Sequence, residues 1–421
     1  MASNSQARLQ SVASHLAAPK SSRKAKYLQK SPDDIVITCA LRTPLTKAKK
    51  GAFKSTKVDD LVISILQSTL QKSKIDPALV EDVCLGNVLA QGGAYVARSA
   101  VLVAGFPDTT AASVANRFCS SGLLAIQHIA NSIIVGGIEV GIAVGAESMS
   151  TNPDDGAPDL STKIKTHEVA KDNLQPMGWT SENVARDFNV TREKQDKFAA
   201  NSFQKAEKAQ KAGWTVDEIA PVYIEQKDPK TGAVTQVAVT ADEGIRPGTT
   251  AESLGKIRAA FPQWPPSATT GGNASQITDG AAAVLLMKRS TAERLGQPIL
   301  GKFVLSTVAG LAPRIMGIGP TVAIPKLLEK VGLSKEDIDI FEINEAFASM
   351  GVYCVEKLGL DPAKVNPRGG AIAIGHPLGC TGARQVVTAL SELRRTGSDL
   401  AITSMCIGTG MGMASLLVRE Q

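Results

Sequence analysis

Four short segments of the chain combine residue types that support nucleophilic catalysis, and each lies where a predicted strand gives way to a turn or helix. In the first, 116–122, Cys119 stands among small residues just before an apolar helical pattern. A helix N-terminus offers free N–H groups and partial positive charge, which lower the pKa of a thiol. On its own, a cysteine in such a position is more often a buried structural residue. Cys119 is therefore a candidate nucleophile that needs partners.

The other three segments supply such partners. Asn344 ends a predicted strand, where a side-chain amide can hold a water or a developing oxyanion. His376 lies on a glycine- and proline-rich turn, 369–379, and histidine titrates near neutral pH and can activate a thiol. Cys406 precedes several glycines, but their spacing differs from that of a GxGxxG nucleotide loop. We therefore do not interpret this segment as a nucleotide-binding loop, and Cys406 is a candidate second thiol. Each segment alone is a weak signal.

These residues require elements that bring distant parts of the chain together. Strand-like and helix-like stretches alternate from Asp34 onward, which predicts an α/β fold. The spacing from Asn87 to Cys119 equals that from Asn344 to His376, and similar apolar helices follow both. Matched order and spacing indicate a duplication, with chance similarity as the weaker alternative.

The tail, the two duplicated halves and the insertion divide the chain into four predicted regions. We expect a largely disordered targeting tail over 1–32, an N-terminal half over 33–150 and 271–300, a loop domain over 151–270, and a C-terminal half over 301–421. The inserted region is either a cover for a substrate tunnel or a solvated helical insertion.

Composition excludes several classes of protein. The 421 residues are 43% apolar and 20% charged, as in a folded soluble protein. No apolar run approaches the ~18 residues of a membrane span, and the six cysteines form no CxxC pair for zinc. The basic excess lies in the tail, so the body is neutral and carries no signal for nucleic-acid binding.

In this order, and in two related halves, the four motifs resemble the thiolase family over about 34–418. The stretches 177–185 and 272–275 also look like the loop region of that family. The resemblance implies two duplicated βαβαβαββ halves that form a layered α/β/α/β/α core, plus an inserted loop domain. Phe118 and Gly271 replace residues more usual in the family, and they could alter the fit of an acyl chain.

The implied reaction is the thiolytic cleavage of 3-ketoacyl-CoA by coenzyme A, the last step of fatty-acid β-oxidation. Cys119 would carry the acyl group, His376 would take its proton, and Cys406 would act as acid and base. By the same resemblance, one oxyanion is held by His376 and a water on Asn344. The other is held by the N–H groups of Cys119 and Gly408.

Further expectations concern ligands and assembly. The family implies that Arg246, Ser253 and Ser275 contact coenzyme A, although an exposed arginine and two turn-associated serines are the plain alternative. The resemblance implies no permanently bound cofactor, with coenzyme A as a substrate. It also implies at least a homodimer, since members of the family are dimers or dimers of dimers.

Three alternative functions stay open from the sequence. A decarboxylating ketoacyl synthase shares the fold, but such enzymes use two histidines and lack the second cysteine. An acetoacetyl-CoA thiolase uses the same catalytic groups for condensation. A non-catalytic acyl-CoA-binding scaffold would be more attractive if a catalytic residue were missing.

The N-terminal tail contains a short amphipathic pattern. If residues 8–16 are helical, Leu9, Val12 and Leu16 share one stripe. The pattern resembles the N-terminal peroxisomal targeting signal, which an import receptor binds as a helix. A mitochondrial transit peptide is the alternative, since the tail is basic, serine-rich and free of acidic residues. The residues that fit the peroxisomal signal are Arg8, Leu9, His15 and Leu16.

Overall fold

The computed structural model describes residues 20–227 and 232–420. In those ranges, none of the helices combines the length and the apolar character that crossing a bilayer requires. The same residues hold no group of histidine, cysteine and acidic side chains placed to bind a metal ion.

Strands of the described residues form one large sheet and one hairpin. The strands are β1 (Ile35–Arg42), β2 (Thr46–Lys47), β3 (Asp82–Gly86), β4 (Ala111–Ala115), β5 (Val140–Ser148), β6 (Val222–Lys227), β7 (Val234–Val239), β8 (Thr278–Lys288), β9 (Gly301–Gly310), β10 (Ile340–Ile343), β11 (Leu400–Ile407) and β12 (Met411–Arg419). The large sheet has the order β10-β11-β12-β9-β1-β8-β5-β3-β4, and β2 pairs with β8. Every residue of β5 and β11 is buried, as expected for strands covered by helices on both faces.

Helices alternate with these strands along the chain. The α-helices are α1 (Lys20–Leu28), α2 (Val58–Ser73), α3 (Gly93–Val103), α4 (Ser121–Ile134), α5 (Thr162–Thr166), α6 (Met177–Asp187), α7 (Arg192–Lys211), α8 (Ala251–Gly255), α9 (Arg289–Arg294), α10 (Pro320–Val331), α11 (Ala348–Leu358), α12 (Ala371–Ile374) and α13 (Leu378–Thr396). Glycines with positive φ end α10, α11 and α13, because only glycine adopts that conformation without strain.

Two helices form the middle layer of the molecule. Helices α4 and α13 pack against each other, and between them they contact strands of both halves of the sheet. Helix α2 covers β1, β5 and β8 on one outer side, and α10 covers β9, β11 and β12 on the other. The layered α/β/α/β/α core predicted from the sequence is therefore confirmed. Its middle layer places the N-termini of α4 and α13 side by side.

The two halves of the sheet are continuous with each other. Strands β1 and β9 pair at Val36–Lys302 and Ile37–Gly301 and thus join the halves into one sheet. Strand β8, from the end of the long insertion, returns to lie between β1 and β5. The residue boundaries of the predicted regions stay predictions.

The end of the segment over 1–32, which the sequence predicts to be a largely disordered tail, contains a helix. Residues 20–28 form α1, and Lys24 makes ion pairs with Asp339 at 2.8 Å and Asp399 at 3.1 Å. The hydroxyl of Tyr27 donates to Val331 O at 2.6 Å. These contacts fix α1 on the second half, and a composition rich in serine and lysine gave no sign of them. The predicted targeting residues Arg8, Leu9, His15 and Leu16 lie outside the described residues.

Candidate active site

Cys119 lies two residues before α4 and is 7% exposed. The residue before it, Phe118, has φ of 46°, a strained value for a residue with a side chain. Local hydrogen bonds hold this turn, because Ser121 Oγ accepts from Arg117 N at 2.9 Å and donates to Phe118 O at 2.7 Å. The strained turn sets the direction of the Cys119 side chain.

Two backbone N–H groups point at the Cys119 sulfur. One belongs to Gly408 in the turn between β11 and β12, and the other to Cys119 itself. These are the two donors that the sequence predicts for one oxyanion, so the structure brings Cys119 and Gly408 together. A β-carbon built on Gly408 would lie 3.6 Å from the Phe118 ring. This is an ordinary van der Waals distance, so the turn at Gly408 lies in contact range of Phe118.

Burial dominates the titration of the Cys119 thiol. Burial raises its pKa to about 11, against the lowering effect of the N–H groups of Gly408 and Cys119. The Cys119 N–H group just before the helix lowers the thiol pKa, as the sequence predicts, but desolvation outweighs this effect. The resting nucleophile is a neutral thiol and needs a base.

His376 follows α12 on a turn that is fixed at its backbone. Its N–H donates to Gln276 O at 3.0 Å, just before β8. Its Nδ1 lies 2.6 Å from Thr381 Oγ1, and that hydroxyl donates to Pro377 O at 3.0 Å. Because the hydroxyl hydrogen is directed to a carbonyl, Oγ1 accepts from Nδ1–H. The tautomer that this geometry assigns leaves the lone pair on Nε2.

The Nε2 atom of His376 faces the Asn344 amide. Asn344 Nδ2 lies 3.3 Å from Nε2, at the end of β10. The Asn344 Oδ1 atom is buried, and no described residue bonds to it. Burial lowers the pKa of His376 to about 3, with a further contribution from Arg384. The imidazole is therefore a neutral base beside an amide oxygen that still has room for a hydrogen-bond donor.

Cys406 supplies the second thiol of the pocket. It is the penultimate residue of β11 and is 1% exposed. Burial raises its thiol pKa well above the ordinary value, and the charges of Cys119 and Cys354 raise it further. The electrostatic effect of Cys119 on the pKa of Cys406 indicates that the two sulfurs lie near each other. Apolar side chains pack around Cys406, namely Val184, Met316, Ile318, Ala346 and Met350.

The three predicted coenzyme A contacts occupy two places. Ser275 donates its backbone N–H to Ala346 O at 3.0 Å, so it lies directly beside the turn that follows Asn344. Ser253 is the third residue of the short helix α8, whose N-cap is Thr250, and its hydroxyl donates to Thr250 O at 2.8 Å. The Arg246 guanidinium lies 5.5 Å from the centre of the Phe203 ring. Ser275 is thus close to the catalytic groups, whereas Arg246 and Ser253 lie on the loop that packs against α7.

Two buried polar residues near the pocket were missed from the sequence. Thr381 fixes the tautomer of His376, and it lies two residues after the glycine- and proline-rich turn, in the first turn of α13. Glu147 is 0% exposed at the end of β5. A carboxylate that follows a long apolar run was the available signal for it.

Sequence profiles of known families match the chain over almost its whole length. The profile described as the thiolase N-terminal domain matches residues 35–290. The profile described as the thiolase C-terminal domain matches residues 297–419.

Curated relatives match at high identity. A peroxisomal 3-ketoacyl-CoA thiolase of Yarrowia lipolytica is 54% identical over 93% of this chain and 94% of its own. The peroxisomal 3-ketoacyl-CoA thiolase A of Mus musculus is 50% identical over 97% of this chain and 98% of its own.

Solved structures show the same fold. The dimeric peroxisomal thiolase of Saccharomyces cerevisiae has a TM-score of 0.88 and 48% identity, over 94% of this chain and 100% of that one. Human mitochondrial 3-ketoacyl-CoA thiolase in complex with CoA has a TM-score of 0.82 and 35% identity, over 92% of this chain and 98% of that one.

Proposed function

The chain belongs to the thiolase family, and from that premise we propose that Cys119, His376 and Cys406 are its catalytic residues. The reaction is the thiolytic cleavage of 3-ketoacyl-CoA by coenzyme A to acetyl-CoA and a shortened acyl-CoA, an acetyl-CoA C-acyltransferase activity of peroxisomal β-oxidation. The observation that supports the roles of the two cysteines is their electrostatic interaction, with two N–H donors at the Cys119 sulfur. The role of His376 is supported by its Nε2 atom, which lies 3.3 Å from the amide nitrogen of Asn344.

The direct test is thiolysis by the purified protein of 3-ketoacyl-CoA substrates of increasing chain length. We expect one acetyl-CoA for each coenzyme A consumed. The rates of thiolysis over the series also rank the substrates by chain length. No cleavage at any length would contradict the proposal.

The first half-reaction begins with proton transfer from Cys119 to Nε2 of His376. The thiolate attacks the 3-keto carbon, and the N–H groups of Cys119 and Gly408 stabilise the resulting oxyanion. The C2–C3 bond then breaks, and its electron pair forms the enolate of acetyl-CoA. His376, now an imidazolium, and a water on Asn344 stabilise that enolate oxygen. The Cys406 thiol protonates C2, so acetyl-CoA leaves and the acyl group stays on Cys119.

The second half-reaction regenerates the enzyme. The Cys406 thiolate takes the proton of an incoming coenzyme A thiol. The new thiolate attacks the acyl carbon, with the same two N–H groups holding the oxyanion. Collapse of this intermediate releases the shortened acyl-CoA, and the Cys119 sulfur recovers its proton from His376.

Coenzyme A acts as a substrate in this proposal. Arg246, Ser253 and Ser275 are its contacts, as the family resemblance implies. Ser275 supports this assignment most strongly, because its backbone is bonded to Ala346 beside the Asn344 turn. A ligand that reaches from Ser253 to Ser275 would deliver its thiol toward the catalytic pocket.

Thr381→Val is expected to slow the acylation of Cys119 about 10- to 100-fold, by analogy with the loss of a partner that orients a metal-bound histidine. Thr381 is fully buried, and valine keeps its shape but removes the acceptor of Nδ1–H. The imidazole then loses the tautomer that presents a lone pair at Nε2. Rapid-quench measurement of the acyl-enzyme reports this rate.

Thr381→Ser is the matched control, because serine retains the hydroxyl. We expect it to acylate within severalfold of the wild-type rate. Equal rates for the valine and serine variants would show that the hydroxyl does not orient His376.

A homodimer is the assembly that the sheet supports, through β4. This strand is an edge of the ten-stranded sheet, so one side of its backbone is free to pair with a second copy. The neighbouring α3 exposes apolar side chains, with Tyr95 83% exposed and Val103 63% exposed. The Saccharomyces cerevisiae thiolase of the same fold is dimeric.

Tyr95→Asp is expected to shift this dimer toward monomers, because the charge would be buried against the partner. Tyr223→Asp is the matched control, since Tyr223 is 71% exposed on β6, away from the β4 edge. Sedimentation velocity measures both. A Tyr95→Asp variant that sediments as the wild type would argue against this interface.

The chain is a peroxisomal protein, like its curated relatives. We infer that an import receptor binds the N-terminal tail through one apolar stripe with basic flanks. The residues are Arg8, Leu9, His15 and Leu16.

A further inference from the structure

The two halves of the chain meet at three closely packed glycines, Gly86, Gly122 and Gly379, which we call the glycine joint. The backbone of Ser121 lies so close to Gly86 that no β-carbon fits there. A β-carbon on Gly122 would lie 2.6 Å from Gly379 O, and one on Gly379 would lie 2.7 Å from Gly86 O. Such backbone contact means that small displacements at this joint move the N-termini of α4 and α13 relative to each other.

One carboxylate lies inside this joint. Glu147, fully buried at the end of β5, accepts four N–H groups. Its Oε1 accepts from Asn87 Nδ2 at 3.0 Å and Leu89 N at 3.2 Å. Its Oε2 accepts from Val88 N at 3.1 Å and Gly379 N at 3.0 Å. Burial raises the pKa of Glu147 to about 7, and these four N–H groups oppose that rise.

The four donors come from both halves. Asn87, Val88 and Leu89 follow β3 in the first half, whereas Gly379 belongs to the first turn of α13 in the second. Gly379 is three residues after His376. The loop of residues 87–89 directly follows Gly86. Gly86 contacts the backbone of Ser121, which begins α4 two residues after Cys119.

We propose that Glu147 is a positioning residue, whose carboxylate ties the α13 N-terminus to the loop after β3 and so fixes His376 relative to Cys119. The inference rests on the proposed function, because it concerns the alignment of those two groups. Glu147 touches neither substrate nor reacting atom in this role.

A charge effect of Glu147 would have the opposite sign. Its negative charge raises the pKa of Cys119, so neutralisation of Glu147 by itself would favour the thiolate and speed acylation. A positioning role predicts slower acylation, because the carboxylate holds the geometry. The direction of the change therefore separates the two roles.

Glu147→Gln is the test. In either orientation of the glutamine amide, the NH2 group replaces an oxygen that accepts two N–H groups. An NH2 group cannot accept, so these two N–H groups lose their hydrogen-bond acceptor. We expect the rate of Cys119 acylation to fall about ten- to hundredfold, the range for hydrogen bonds to a charged group. The KM for coenzyme A should stay within twofold, because the proposed contacts with coenzyme A are elsewhere. Rapid quench gives the first value and steady-state thiolysis the second.

Glu218→Gln is the matched control for the loss of a buried carboxylate. Glu218 is 2% exposed and pairs with Arg42 at 2.8 Å and Arg368 at 3.1 Å, none of which lies in the glycine joint. We expect it to lower thermal stability but to acylate at the wild-type rate. Equal slowing in both variants, or wild-type acylation in Glu147→Gln, would overturn the positioning role.

A milder variant keeps the proposal testable if Glu147→Gln does not fold. Asn87→Ala removes one of the four donors and leaves the carboxylate in place, and we expect acylation to slow by about threefold to tenfold. Unchanged acylation in Asn87→Ala would then count against the role. Failure of the proposed function gives a different result, since the wild-type protein itself would form no acyl-enzyme.

Discussion

Cys119→Ala is expected to abolish thiolysis, with a loss of roughly 10⁴-fold or more, as is typical when a covalent nucleophile is removed. The variant keeps both N–H donors and His376, but no atom remains to carry the acyl group. Thiolysis of a 3-ketoacyl-CoA measures the loss, and mass spectrometry of the protein after mixing with substrate tests for the acyl adduct.

The folded structure should survive this substitution. Alanine removes one buried sulfur and forces no new contact, so we expect the free energy of unfolding to change by about 1 kcal/mol. Cys84→Ala is the matched control, because Cys84 is a buried thiol on β3, and it should retain wild-type turnover. An active Cys119→Ala enzyme, or an acyl group on another residue, would exclude the mechanism.

The proposed catalytic groups could be selected from the sequence because the spacing of Asn87 and Cys119 repeats at Asn344 and His376, and because the motifs resemble those of the thiolase family. The matched spacing places Cys119 before α4 and His376 before α13, and those two helices pack in the middle layer. Symmetry of the fold therefore brings the two residues together. A single segment taken alone gave no such information.

The electrostatics of the site could not be predicted in the same way. A helix N-terminus gives a thiol a lower net pKa only when desolvation is small, and for Cys119 the effect of burial exceeds that of the N–H groups. Burial is a property of the assembled layers and not of the segment 116–122. The roles of Thr381 and Glu147 were missed for the same reason, since their partners come from the turns and joints of the folded chain.

The fold, like the site, could be predicted only in part. Apolar periodicity predicted the helix that follows Cys119, and the family resemblance implied the layered core. Within the inserted region the structure has two separate helices, α6 and α7, and Asn189, with φ of 53°, lies between them. The docking of α1 depends on Asp339 and Asp399, which are distant in sequence, so tail composition alone could not reveal it.

Cys406→Ser is expected to leave partial acylation of Cys119 but to reduce overall thiolysis by about 10³-fold, toward the upper range for general acid–base catalysis. Serine is a much weaker acid than cysteine, so it protonates the acetyl-CoA enolate slowly and hardly activates coenzyme A. Rapid quench measures acylation, and the decay of the isolated acyl-enzyme upon addition of coenzyme A measures the second half-reaction.

Cys354→Ser separates the acid–base role from a general effect of the buried thiols. Cys354 is buried on α11, close enough for its charge to affect the pKa of Cys406, yet the mechanism gives it no proton to transfer. We expect both half-reactions to proceed at near wild-type rates in this control. If Cys406→Ser slowed the two half-reactions equally, the second thiol would shape the pocket and not transfer protons. A larger loss in the coenzyme A step is the result that an acid–base role requires.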